Sequence, residues 1–160
     1  MIAIRPALAS DEDDLARIDR ATWTHETSPS PPPGPNWEFF GKRVQPEDVL
    51  VALVDEKVAG YVQLGRATEL AASDHVRMIS GIAVAEEHRR QGVGRALLDA
   101  ATAEARARGA ERLTLRVLGP NSGARHLYES AGFVVEGTLR GEFRLDGDLV
   151  DDVLMARSLS

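Results

Sequence analysis

The segment that decides the fold runs from Ile79 to Leu98 and reads ISGIAVAEEHRRQGVGRALL. Its apolar beginning predicts a strand over 75–85, and its end predicts a helix over 92–108. Gly92 and Gly94 open that helix, so free N–H groups and the positive end of the helix dipole face the preceding loop. Because glycine lets the backbone approach a phosphate closely, this turn predicts an anion-binding site.

Three arginines flank the predicted anion site and can add charge-assisted hydrogen bonds, namely Arg89, Arg90 and Arg95. The turn lacks the Gly-Lys-Ser/Thr of a P-loop, and Leu97 stands where a dinucleotide fingerprint has its third glycine. What remains is Arg-x-x-Gly-x-Gly over residues 89–94. The hexapeptide alone is equally typical of a glycine-rich turn with solvated arginines.

Apolar patterns predict the other elements. They are a strand over 2–7, a helix from an N-cap at Ser10 to about Trp23, a short helix around 37–40, strands over 49–54 and 58–64, a strand over 113–118, a helix over 121–131, and a closing hairpin with strands over 133–139 and 150–156. The acidic run Asp11 to Asp14 is expected to be a solvated helix start. The order predicts a mixed α/β sheet in one domain, residues 1–160.

A second pattern follows the strand over 113–118. It consists of Asn121, Ala124, Leu127-Tyr128 and Ala131-Gly132-Phe133. Together with the hexapeptide, it resembles the (Gln/Arg)-x-x-Gly-x-(Gly/Ala) pyrophosphate loop and the N-x-x-A-x-x-L-Y region of the GNAT acetyltransferases. The resemblance covers the whole chain, is strongest over 79–133 and is weakest before Val49.

The resemblance implies an α/β (α+β) GNAT fold. Its single mixed, mostly antiparallel seven-stranded sheet is splayed between strands 4 and 5 and flanked by about four helices. The resemblance also implies acetyl-coenzyme A (acetyl-CoA) as cofactor and direct transfer of its acetyl group to the amine of a small molecule or peptide. The expected cofactor-binding residues are Ile82, Ala83, Val84, Arg89, Arg90, Gln91, Gly92, Val93, Gly94, Arg95, Asn121 and Ala124.

Two roles at the reacting centre follow from the resemblance. Unpaired backbone groups near Ile82 and Val84 would bind the pantetheine amides and stabilise the developing oxyanion. Tyr128 is expected to face the sulfur as catalytic acid or hydrogen-bond donor; the alternative is a buried packing residue. With an ordinary tyrosine pKa of about 10 and a thiol pKa of about 8.5, proton transfer would be uphill by about 2 kcal/mol. Asn121 is expected to cap its helix in either case.

The general base is not fixed by the sequence. Some GNAT enzymes have a glutamate as general base near the position of Met78. A methionine side chain cannot act as a base. Asp74 and His75 before the fourth strand are candidates, as are His25 and Glu26 after the first helix, although each also fits a solvated role. Trp23 and Trp37 flank a proline-rich loop, which in the family forms one wall of the acceptor site; packing in the core is their alternative role.

Composition narrows the function further. The net charge of −6 argues against a nucleic-acid partner and weakly suggests a cationic acceptor, and the chain has no cysteine for a nucleophile. We expect no metal, no membrane span and a cytoplasmic location. A homodimer is compatible with the resemblance. Two alternatives stay open: a non-catalytic coenzyme A-binding module, and a domain whose arginine loop binds another nucleotide.

Overall fold

The computed structural model describes residues 1–160. It contains seven strands and three α-helices joined by loops and short 3-10 turns. The strands are β1 (Ile2–Pro6), β2 (Val49–Val54), β3 (Lys57–Gly65), β4 (Val76–Val84), β5 (Arg112–Leu118), β6 (Val134–Leu145) and β7 (Asp148–Ser158). The helices are α1 (Glu12–Thr22), α2 (Val93–Ala107) and α3 (Ser122–Ser130). None of them combines the length and apolar character needed to cross a bilayer.

All seven strands form one sheet in the order β1-β2-β3-β4-β5-β7-β6. The β4–β5 pair is parallel, and every other neighbouring pair is antiparallel. The predicted mixed, mostly antiparallel sheet is therefore confirmed. The closing hairpin is longer than predicted, because its charged residues alternate with apolar ones and carry the ladder well beyond the apolar run.

The sheet opens between β4 and β5, as predicted. These strands pair only where Val76 to Ile79 lie beside Arg112 to Leu115, although both strands continue further. At the same level, the β3–β4 register slips by one residue, so that Ser80 is extra in β4. Such a bulge bends its strand, which accounts for the divergence. We call the opening beyond Ile79 the β4–β5 gap.

Two apolar cores cover the two faces of the sheet. The larger core packs α2 and α3 against one face and includes Leu97, Leu98 and Phe133. The smaller core packs α1 against the other face and includes Leu15 and Ile18. Side chains alternate between these faces along each strand, so the position of a residue in its strand decides which side of the gap it reaches.

The predicted helix around residues 37–40 is wrong, so three α-helices flank the sheet rather than about four. Turns and bends replace it, and the aromatic residues dock without helical backbone. Phe39 packs edge-on against Tyr61, with ring centroids 4.8 Å apart, and its N–H donates to the Glu12 carboxylate at 2.9 Å. A tertiary contact therefore satisfies the Phe39 N–H without helical backbone around it.

The predicted N-cap at Ser10 is also wrong. Asp11 accepts a hydrogen bond from the Leu8 N–H at 2.8 Å and forms an ion pair with Arg5 at 2.8 Å. Asp11 is therefore buried, unlike the solvated start expected for the acidic run, and the Arg5 guanidinium holds its pKa below the usual range. The helix that follows ends at Thr22, one residue before the predicted end.

Candidate active site

The turn before α2 presents unpaired backbone donors. Gly92 caps the helix with φ 83° and without a side-chain cap, and the first helical hydrogen bond runs from the Ala96 N–H to the Gly92 carbonyl at 3.0 Å. The N–H groups of Gly92 to Arg95 have no acceptor in the protein. A Cβ atom added at Gly92 would meet nothing within 4 Å. The space and the donors together fit a phosphate group of a bound cofactor.

The second glycine of the turn serves packing. A Cβ atom at Gly94 would lie 3.0 Å from Cδ2 of Leu127 and 3.8 Å from a methyl group of Val84. Glycine here lets α3 pack closely against the first turn of α2. The same contact brings the α3 residues of the second sequence pattern beside the end of β4.

The arginines fasten the turn to its surroundings. The Arg89 Nε donates to the Val84 carbonyl at 3.3 Å. Arg95 donates to Asp99 at 3.2 Å and to the Ser130 carbonyl at 3.2 Å, so it faces the end of α3. Arg90 has a left-handed backbone with φ 62° and an exposed side chain. The Gln91 amide donates to the Glu87 carbonyl at 3.4 Å. The Val93 side chain is buried, so a ligand can be bound only by the backbone N–H of Val93.

The end of β4 directs backbone groups into the β4–β5 gap. The Ala85 N–H donates to the Ala59 carbonyl of the β3 side at 2.8 Å. Hydrogen-bonded and non-hydrogen-bonded residues alternate along an antiparallel strand. The backbone N–H and C=O of Ala83 therefore also point toward β3, whereas those of Ile82 and Val84 point away from it. The register thus turns the backbone groups of Ile82 and Val84 toward the gap, where the Val84 carbonyl already accepts from the Arg89 Nε.

Tyr128 lies on α3 in the larger core and is 6% exposed. Its hydroxyl has no hydrogen-bond partner in the protein, yet it is not among the fully enclosed polar atoms. Burial raises the pKa of Tyr128 to about 12. Asn121 caps α3, accepting from the Ala124 N–H at 3.3 Å, as predicted.

A cavity of about 320 Å³ adjoins the gap on the α1 face. Its wall residues come from the proline-rich loop, β4, β5, β6 and β7 and include Thr27, Ser28, Ser30, Met78, Ser80, Arg116, Phe143 and Asp152. We call it the α1-face cavity. Its lining is rich in hydroxyl groups and carries one cation and one carboxylate.

The charged pair in the α1-face cavity was missed by the sequence reasoning. Arg116 Nε lies 2.8 Å from an Asp152 carboxylate oxygen, and the side chains are 48% and 4% exposed. Burial raises the pKa of Asp152 although the Arg116 charge opposes this, and Glu142 adds to the rise. The sequence signal for Arg116 is its position between apolar residues of β5. Asp152 could not be predicted as its partner, because Asp152 lies 36 positions further along the chain.

The predicted base candidates fall in different places. Asp74 and His75 precede β4 at its closed end, roughly 20 Å from Ile82 at the rise per residue of a strand, and Asp74 pairs with Arg66. These two are too far away to act at the gap. His25 and Glu26 are exposed and precede the loop residues that line the α1-face cavity, and Met78 lines it directly.

Both tryptophans anchor the proline-rich loop. The Trp23 indole donates to the Ser30 carbonyl at 2.9 Å, and the Trp37 indole donates to Asp19 at 3.1 Å. Tyr61 donates to the other oxygen of Asp19, and burial raises the pKa of both Asp19 and Tyr61. Neither tryptophan is buried in the core; both hold the loop that lines the α1-face cavity.

Another cavity of about 320 Å³ lies beside β1 and α1. Its wall carries both signs of charge, including Arg5, Asp14, Arg17 and Glu87. It shares no wall residue with the α1-face cavity. No group of three or more histidine or carboxylate side chains is arranged to hold a metal ion.

An open mixed sheet with a turn of unpaired backbone donors after its fourth strand is the arrangement expected of an acyl-coenzyme A-dependent transferase. The model of the acetyltransferase (GNAT) family matches residues 12–133. The chain is 32% identical to an N-alpha-acetyltransferase of Sulfurisphaera tokodaii, over 98% of this chain and 92% of that protein. It is 41% identical to the [ribosomal protein bS18]-alanine N-acetyltransferase of Escherichia coli, over 49% of this chain and 53% of that protein.

Solved structures agree. The structure of smu.2055 from Streptococcus mutans superposes with a TM-score of 0.87 at 29% identity, covering 99% of both chains. The structure of yncA from Salmonella typhimurium, described as a putative acetyltransferase with its cofactor acetyl-CoA, superposes with a TM-score of 0.81 at 20% identity, covering 100% of this chain and 95% of that one, and shows the shared fold.

The chain belongs to the GNAT acetyltransferase family. It is an N-acetyltransferase, its cofactor is acetyl-CoA, and its acceptors are amines. The function and cofactor predicted from the two sequence patterns are thus confirmed, and the enzyme replaces the two alternatives of a non-catalytic module and a general nucleotide-binding domain.

Proposed function

We propose that residues 1–160 form one catalytic domain that acetylates an α-amine, either the N-terminal amine of a peptide or the amine of an amino acid. The observation that carries the proposal is the β4–β5 gap, which has the anion-binding turn on one side and the α1-face cavity on the other. The names of the relatives, N-alpha-acetyltransferase and ribosomal-protein alanine N-acetyltransferase, support the α-amine.

The cofactor side would hold acetyl-CoA through backbone groups. The N–H groups of Gly92 to Arg95 would bind the pyrophosphate, with Arg89, Arg90 and Gln91 around it and Arg95 supporting the turn from the α3 side. Asn121 and Ala124 would flank the cofactor from α3. The backbone N–H and C=O of Ile82 and the N–H of Val84, with Ala83 between them, would pair with the amides of the pantetheine arm.

When bound, acetyl-CoA supplies an acetyl thioester that a neutral amine can attack: a C–N bond forms as the C–S bond breaks, coenzyme A leaves as thiolate, and the amine nitrogen releases one proton to water. The backbone N–H groups at the end of β4 would donate to the carbonyl oxygen of the thioester as its negative charge grows. Tyr128 would donate a hydrogen bond to the departing sulfur. With its pKa at about 12, full proton transfer to a thiolate of pKa about 8.5 is uphill by about 5 kcal/mol, so donation rather than transfer is the favoured role.

An acceptor panel tests this proposal. The enzyme and acetyl-CoA are mixed with a peptide that has a free N-terminus and no lysine, with a free amino acid, with the same peptide blocked at the N-terminus but carrying one lysine, and with a polyamine. Released thiol and the acetylated product are measured. We expect activity with the free N-terminus or the free amino acid to exceed activity with the blocked lysine peptide and the polyamine by tenfold or more. Equal or greater activity on lysine or polyamine would contradict the α-amine, and turnover without any acetylated amine would contradict the acceptor site itself.

A further inference from the structure

We propose that Arg116, held in place by Asp152, is a specificity-determining residue that binds a carboxylate located near the reacting amine of the acceptor. The inference rests on the proposed function, since it assumes that the acceptor enters through the α1-face cavity. It names the chemistry of the acceptor: an α-amine accompanied by a nearby carboxylate.

The strand register places Arg116 in the α1-face cavity. Its neighbours Leu115 and Val117 point into the larger core on the opposite face, so Arg116 points toward the α1 face. Arg116 follows the last residue of β5 that pairs with β4, which puts it at the start of the β4–β5 gap. A group bound to it would therefore lie beside the place where the two strands diverge.

The guanidinium of Arg116 retains its hydrogen-bond donors. Its contact with Asp152 is an ion pair through Nε, and none of its N–H groups donates an aligned hydrogen bond within the protein. Arg112, four positions earlier on the same face of β5, instead donates from both terminal nitrogens to the carboxylate of Glu136. Arg112 is thus saturated, whereas Arg116 keeps a planar fork suited to a carboxylate.

Charge in the cavity is arranged asymmetrically. The Asp152 carboxylate is 4% exposed, whereas the Arg116 side chain is 48% exposed, so an entering group meets the cation. Asp152 is fixed between Leu118 of β5 and Leu139 of β6, which makes it a rigid support for the guanidinium. The remaining polar lining consists of neutral hydroxyls, among them Thr27, Ser28 and Ser80, which do not repel an anion.

A carboxylate near an α-amine has two sources. One is a free α-amino acid, and the other is a peptide whose second residue is acidic. The inference also reverses the weak expectation of a cationic acceptor, because the net charge of −6 belongs to the whole surface and the cavity exposes an arginine.

Matched acceptors test the inference. One arm compares the peptides Ser-Glu-Ala-Ala and Ser-Gln-Ala-Ala, both amidated, and the other compares free alanine with alaninamide. We expect the acidic member of at least one pair to have the higher kcat/KM by about tenfold to a hundredfold, the range of a hydrogen bond to a charged group. The arm that shows the preference identifies the source.

Variants assign the preference to Arg116. In Arg116→Gln we expect the ratio of acidic to neutral kcat/KM to fall to about one. Because that change leaves Asp152 buried and unpaired, the double variant Arg116→Gln with Asp152→Asn is measured beside it. Arg112→Gln is the matched control on the same strand and should keep the wild-type ratio.

Three results would overturn the inference. They are a wild-type enzyme without an acidic preference in either arm, a folded double variant that keeps the preference, and equal loss of the preference in Arg112→Gln. Failure of the proposed function would look different, because lysine or polyamine would then be preferred over every α-amine whatever the state of Arg116.

Discussion

The two sides of the β4–β5 gap are built in different ways. The cofactor side is nearly continuous in sequence, from Ile79 to Phe133, and offers backbone donors at Gly92 to Arg95 and at the end of β4. The α1-face cavity is lined by side chains from the loop at 27–30 and from the strands β4, β5, β6 and β7. A surface of backbone groups is indifferent to most side-chain changes, whereas a surface of side chains can change with each substitution.

This contrast has a physical consequence for specificity. Backbone donors at a helix N-terminus recognise any suitably placed anion, so the same cofactor can be bound with many different flanking sequences. Only glycines and packing contacts, such as Gly94 against Leu127, constrain that side. The acceptor is instead read by side chains such as Arg116, whose positions depend on distant partners.

The largest expected effect comes from filling the cofactor side. In Gly92→Trp, the indole would occupy the space that is open beside the unpaired N–H groups. We expect acetyl-CoA to lose its thermal stabilisation, which for a ligand at 100 times its Kd is about 2.7 kcal/mol, and activity to fall by more than a hundredfold. Thermal shift with acetyl-CoA and a thiol-release assay measure the two effects.

The matched control for this prediction is Gly109→Trp. Gly109 follows α2 at its other end, has φ 85° and is equally free of neighbours within 4 Å. Both substitutions cost about 1–2 kcal/mol for a left-handed backbone, but only the first touches the predicted phosphate site. Equal loss of cofactor binding in both variants would show that strain, rather than the site, is responsible.

Tyr128→Phe is expected to have the second largest effect. It removes a hydroxyl that has no partner in the protein, so the fold loses little while the sulfur loses a donor. We expect kcat to fall by about a hundredfold with little change in acetyl-CoA affinity. The control is Tyr61→Phe, which removes the bond to Asp19 and should lower stability without a comparable loss of kcat. Similar kcat values for Tyr128→Phe and the wild type would assign Tyr128 to packing.

The same contrast explains what the sequence predicts well. The strand, turn and helix over 75–108 are decided by local patterns: an apolar run, two glycines and a helix that ends before Gly109. The splay between β4 and β5 follows from the family resemblance, and its physical cause, the bulge at Ser80, is a register shift that no local pattern records. Roles for the cofactor-binding residues and Tyr128 stay predictions.

The acceptor side could not be predicted for the same physical reason. Apolar and aromatic residues around 37–40 suggest a helix, but a carboxylate on α1 provides the acceptor that their backbone needs. Asp74 and His75 have suitable chemistry, but strand geometry puts them at the closed end of the sheet. Arg116 and Asp152 become neighbours only when β7 inserts between β5 and β6, a topology that sequence spacing does not contain.

A smaller effect is expected from loosening the loop of the α1-face cavity. Trp37→Phe removes the indole donor to Asp19. Because Trp37 is 45% exposed, we expect the lost hydrogen bond to be worth about 1 kcal/mol. We expect KM for the acceptor to rise about fivefold while KM for acetyl-CoA and kcat change little. Steady-state kinetics with both substrates varied measure this. A matching rise in KM for acetyl-CoA would mean that the two sides are not independent.

The last effect is confined to high pH and concerns the pKa of Tyr128 in the folded state. Because burial raises its pKa to about 12 from an ordinary value near 10, the folded chain holds the proton more tightly than the unfolded chain does. Its contribution to stability is therefore complete below pH 10 and is lost as the pH rises through 12. At pH 11 the wild type should have lost about 1.4 kcal/mol relative to Tyr128→Phe, compared with pH 8. Urea unfolding of both proteins at the two pH values measures this difference. An unchanged difference would mean that the Tyr128 hydroxyl is hydrated in the gap. This result would contradict a role for Tyr128 as a hydrogen-bond donor that is shielded from water.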